Sequence, residues 1–230
     1  MAQARLVLTF PLPEPPPDGW LPPEMSSADE LILTVGRPDL PLEQVLAQVE
    51  MLHQRVSLPM TWARPLQRAE DVAPLLAAGV DRILLPPDLV LDPPLLQEIT
   101  RLAPPSRFAL SVIGRFSGGR WLTFVEGGRS PTPLELVRWA ARANSLGVGE
   151  IHLTLLGVDG GVVSDPDLLK KLSLEVPTPL LLTTHTLAME DVLKALAAGI
   201  SGLVVEVSPT CPGGSPAQLR DLLTLPRRVG

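Results

Sequence analysis

Cysteine is nearly absent from this chain. Cys211 stands alone, so there is no intrachain disulfide and no metal-binding cysteine spacing. Histidine is almost as scarce: His53, His152 and His185 form neither an H-x3-H nor an HExxH pattern, and no metal or cofactor is expected. Lysine occurs only at 170, 171 and 194, and asparagine only at 144. Few amides and 27 prolines suit a thermophile or, equally, a GC-rich genome. No stretch reaches the roughly 18 apolar residues of a membrane span, and the apolar residues 5–12 run straight into a proline cluster. No basic leader precedes an apolar stretch and a small-residue cleavage site, so a cytoplasmic location is expected, without a membrane partner. Nineteen basic residues against 25 acidic ones give a net charge of −6. That balance argues against nucleic acid, whose phosphates need clustered Lys and Arg.

What is present is a globular composition, 45% hydrophobic and 19% charged, over 230 residues, with a mean hydropathy of +0.25. The chain also repeats itself. At an offset of 120 residues, Glu70, Asp71, Val72, Leu76, Ala77, Ala78 and Gly79 fall on Glu190, Asp191, Val192, Leu196, Ala197, Ala198 and Gly199. The same offset, without a gap, sets Glu30, Leu33 and Thr34 on Glu150, Leu153 and Thr154, and Asp39 on Asp159.

Hydrophobic patterning predicts strands at 5–10, 30–35, 58–62, 81–85, 107–113, 150–155, 178–183 and 202–207. Helices are predicted at 41–55, 68–78, 92–103, 132–146, 165–174, 188–198 and 215–223, with Gly79 ending the second. Alternating β and α elements with nearly all-apolar strands imply a parallel sheet buried on both faces. Eight such strands close a (βα)8 TIM-type barrel, here one domain over 1–230, built of two half-barrel repeats, about 1–110 and 111–230. A doubly wound open sheet is the runner-up. Residues 11–29 are too proline-rich for the first helix, because each interior proline disfavours a helix by about 3 kcal/mol. That helix is expected to be missing, its wall covered by the proline segment or by another subunit, and a homodimer through this surface is expected. Residues 114–131, with SGG and EGG around RWLTFV, read as a β-hairpin after strand 5.

The half-barrel repeat, SLGVGEIHLTLLGVDGG at 145–161, residues 187–200 and DELILTV at 29–35 resemble the phosphoribosyl-sugar barrels of histidine biosynthesis, the cyclase subunit of imidazole glycerol phosphate synthase and ProFAR isomerase. The resemblance runs from about residue 28 onward. It implies a substrate with two terminal phosphates and aspartates at the ends of strands 1 and 5. This chain departs from that pattern. Pro11 takes the place of the first aspartate, ALSVIGR after strand 5 offers none, and in the sixth loop only Asp159 remains, with Gly157 replacing its partner. The glycine-rich turns expected to hold phosphate become Ala63-Arg64-Pro65 and Thr183-Thr184-His185, and Pro86 and Pro87 fill the turn after strand 4. Glycine lets backbone N–H groups approach an anion, and proline removes one of them.

The residues left at the strand ends define the candidate site. Asp159 is the acid/base candidate carried over by the resemblance, with a plain Asp-Gly turn as the alternative. His185 is a second, against a role beside a helix cap at Thr186. Arg64 is positioned to clamp an anion or to plug the mouth beside Trp62. Thr184, Ser208, Gly213, Gly214 and Ser215 are the remaining anion-binding candidates, the last three at a helix start that Ser215 and Pro216 explain equally well. Three functions follow: a divergent barrel binding a small anionic or phosphorylated metabolite without the family's usual activity; a non-catalytic assembly or regulatory barrel; or a histidine-pathway lyase or isomerase with relocated catalytic groups.

Overall fold

The computed structural model describes residues 4–12, 23–35, 40–63, 66, 68–184, 188–207 and 216–224. Eight parallel strands form a closed ring: β1 Arg5–Leu12, β2 Glu30–Val35, β3 Met60–Ala63, β4 Arg82–Leu85, β5 Phe108–Ser117, β8 Glu150–Leu156, β9 Leu180–Thr183 and β10 Gly202–Glu206. Closure comes from the β1–β10 and β4–β5 pairings. The helices α1 Leu42–His53, α2 Val72–Ala77, α3 Pro93–Thr100, α4 Leu136–Ser145, α5 Pro166–Glu175, α6 Met189–Ala197 and α7 Pro216–Thr224 follow in order. Local chemistry sets their ends. Asp92 and Asp165 accept the N–H groups of Leu95 (3.1 Å) and Leu168 (3.0 Å), each just before a proline that opens the helix. Gly79, at φ +109°, follows the end of α2, as the sequence predicts.

The strand after β5 is an outgrowth. β5 continues to Ser117, turns through Gly118 and Gly119, both at positive φ, and pairs antiparallel with β6, Arg120–Val125. The hairpin stands as predicted, but the helix predicted from 132 starts at Leu136. Ser130–Glu135 is instead a third strand, β7, at the edge of the sheet. Pro131 and Pro133 lie in it because one side of an edge strand needs no N–H donor.

Between β1 and β2 the described residues contain only a 3₁₀ turn, Pro23–Ser27, and no α-helix. The wall there is nevertheless covered within the one chain. Leu6, Leu8 and Phe10 are 0–3% exposed, and α7 packs against both β1 and the 3₁₀ turn. Arg220 of α7 ties the arrangement down, donating to both oxygens of Asp29 at 2.7 and 2.6 Å. The homodimer expected at this surface therefore has no bare wall to use.

Strand alternation divides the ring into two faces. Outward residues meet the helices in the main core, among them Leu8, Leu33, Trp62, Ile83 and Leu110. Trp62 is 1% exposed in this outer layer. It does not fill the mouth, because its neighbours Thr61 and Ala63 take the inward direction. Inside the ring, Val7, Ile32, Leu181 and Val204 pack together with Ala63 and Leu84.

Candidate functional site

The inward positions above that apolar layer are Thr9 on β1, Thr34 on β2, Ser111 and Ile113 on β5, Thr154 on β8 and Thr183 on β9, reached by stepping two residues along each strand. All are half-buried, and all but Ile113 carry a hydroxyl, so the described inner face at the carboxyl end of the barrel is lined mainly with hydroxyls. Thr154 donates to the Thr183 hydroxyl at 3.0 Å and Thr34 to the Phe10 carbonyl at 3.1 Å. Pro11 and Ile113 take inward positions on β1 and β5. The nearest described carboxylates, Asp159 and Glu206, are exposed.

Asp159 lies in the turn after β8, where its Oδ1 accepts the Gly161 N–H at 3.0 Å and Gly157 N–H donates to the Gly161 carbonyl at 2.8 Å. Its carboxylate thus organises its own turn. Arg115, the next inward residue of β5, bridges two loops over the mouth. It donates to the carbonyls of Gly128 (3.3 Å) and Val158 (2.8 Å), with its guanidinium carbon 5.7 Å from the centre of the Phe124 ring. Nothing in the sequence reading singled it out, although an arginine in the otherwise apolar run of strand 5 was the available signal. Thr184 is buried beside Val204, and its hydroxyl has no partner among the described residues. Arg64, His185, Ser208, Gly213, Gly214 and Ser215 lie outside the described residues. No group of three or more His, Cys, Asp or Glu suited to a metal occurs among the described residues.

The opposite end of the barrel holds a charge cluster that the sequence reading missed. Arg82 donates to both Glu30 oxygens at 2.6 and 2.8 Å and to Glu150 at 3.2 Å. Arg5 reaches Glu30 at 3.1 Å and also pairs with Glu150. Thr61 donates to Glu30, and His152 Nε2 lies 2.8 Å from Glu150. A carboxylate only accepts, so that ring nitrogen carries the hydrogen; Nδ1 is buried and has no partner among the described residues. Burial raises the Glu150 pKa, but the His152 hydrogen bond and the charges of His152, Arg82 and Arg5 outweigh it and hold the carboxyl at about 2. Two carboxylates matched by two guanidiniums close the amino end of the ring.

A closed eight-stranded parallel barrel of this kind belongs to the TIM class, in which sites lie at the carboxyl ends of the strands. Within that class, residues 41–206 match the family described as histidine biosynthesis protein, and the chain belongs to that family. It is similar to imidazole glycerol phosphate synthase subunit HisF of Exiguobacterium sibiricum, 28% identical over 174 residues, which cover 75% of this chain and 70% of that protein.

Proposed function

We propose that this barrel binds a small anionic or phosphorylated metabolite in the hydroxyl cup and does not carry out the cyclase or isomerase chemistry of its family. The observation that supports this is the inner face of the mouth. Hydroxyls of Thr9, Thr34, Ser111, Thr154 and Thr183 line it, while Pro11 and Ile113 take the inward ends of β1 and β5. Hydroxyl groups orient an anion by hydrogen bonding, but they do not exchange protons near neutral pH as general acid–base catalysis requires. Calorimetric titration with ribose 5-phosphate should show saturable binding that weakens about tenfold, the loss of about 1.4 kcal/mol, in a T154V/T183V double variant. Expression in a cyclase-deficient strain should not restore growth without histidine. Growth would overturn the second half of the reading, and absence of heat with ribose 5-phosphate the first.

A non-catalytic assembly role is the second reading. It draws on the exposed Leu91, Leu95 and Leu102 at and around α3 rather than on the β1 wall.

A further inference from the structure

Among the described strand residues, Arg115 is the one cation on the inner face at the carboxyl end of the ring. It continues the inward series Ser111 and Ile113 along β5 and stands beside Leu156 of β8 in the strand register. That is a costly place for a charge. The residue is half-buried, and among the described residues it has no ion pair. Its contacts are the carbonyls of Gly128 and Val158 and the ring of Phe124, none of which carries a negative charge. They hold the guanidinium in one orientation without neutralising it.

The donor count says what can bind there. A guanidinium has five N–H donors and no acceptor, and the two carbonyls occupy two of them. Whatever displaces water from the other three must present acceptor oxygens, whatever the sum of charges around the mouth. A phosphate or carboxylate offers them in the paired geometry that the fork fits. The nearby carboxylates do not take this role. Asp159 directly follows Val158, yet its Oδ1 turns back to the Gly161 N–H. Glu206 stands on β10, three strands further round the ring, and is exposed.

We propose that Arg115 is the anion-holding residue of the function set out above, its three spare N–H donors taking the phosphate of the metabolite. The inference rests on that reading and adds the side chain that gives it a preference for a charged ligand. Thr154 pairs with Ile113 in the strand register, one inward step below Arg115. That step is about 7 Å, so a sugar phosphate held by Arg115 at one end meets the Thr154 and Thr183 hydroxyls at the other.

Calorimetric titration of the full chain with ribose 5-phosphate, in about 0.01 M and about 1 M salt, tests the proposal. Charges are felt over about 30 Å in the first and about 3 Å in the second. The wild type should bind more tightly in low salt. R115Q should bind at least tenfold more weakly there and lose most of the salt dependence. R115K, which keeps the charge without the fork, should fall between the two and keep the salt dependence. A residue that only ties the two loops together would lower affinity by one factor in both salts, as T154V/T183V should. Affinity retained in R115Q, or lowered with the salt dependence intact, overturns the assignment of Arg115 and leaves the function above standing. Should R115Q not fold, R115K decides alone, and affinity equal to that of the wild type overturns the assignment. Absence of heat with the wild type overturns the function above and this inference with it.

Discussion

Glu150 shows how much a single side chain can decide in this barrel. It is held at a pKa of about 2 against an ordinary 4.5, so the folded state binds its proton less readily than the unfolded chain does. Its contribution is complete above about pH 4.5 and disappears as pH falls toward 2, on the order of 3 kcal/mol in all. Chemical denaturation between pH 6 and 2 should show this loss in the native protein. In E150Q the loss should be absent and stability at pH 7 lower by about 3 kcal/mol, because a buried cluster broken on one side leaves cations unmatched. No motif announces the cluster, since Arg5, Glu30, Arg82 and Glu150 are scattered along the chain. The trace was there all the same. Glu30 and Glu150 each open an apolar strand and are brought together by the internal repeat, and an acid at such a position needs a buried partner. Trp62 was misread for a different reason. Its place at a strand end suggested the mouth, and only the alternation of Thr61, Trp62 and Ala63 turns it outward. W62A should therefore destabilise the protein by about 3–5 kcal/mol in denaturant titration and leave ribose 5-phosphate binding as it was.

Among the elements, α7 has a task beyond its own position in the wall. It packs against β1 and against the 3₁₀ turn, the only helical turn between β1 and β2 among the described residues. Its tether, the Arg220–Asp29 pair, is partly open to solvent, with side chains 26% and 32% exposed, so R220A should cost only about 1 kcal/mol in thermal or chemical unfolding. Truncation after residue 207 is a different matter. It uncovers Leu6, Leu8 and Phe10 together and should produce dye-binding, self-associating protein by fluorescence and sedimentation. The missing helix was legible in the proline content of residues 11–29, but the identity of its cover was not, because that depends on a helix two hundred residues away. β7 was missed because SPTPLE lacks the usual strand residues, and only its place at the sheet edge makes the two prolines harmless.

For the molecule as a whole, the order of elements, the closed ring and the hairpin followed from hydrophobic periodicity and turn chemistry, which are local properties of the chain. The arrangement along the barrel axis did not, because it depends on which alternate residue of each strand looks inward. Read from base to mouth, the interior runs from ion pairs through Val7, Ile32, Leu181 and Val204 to hydroxyls. Those four apolar side chains, at most 7% exposed, act as an insulating septum. An ion entering from either end meets nothing that could replace its water, so what titrates below should go unnoticed above. Acidifying the base enough to protonate Glu150, or removing that charge by E150Q in protein that remains folded, should leave the ribose 5-phosphate affinity proposed for the cup where it was. On the function proposed above, the two ends of the barrel would answer to different solutes, with the wall of methyl groups keeping the two apart.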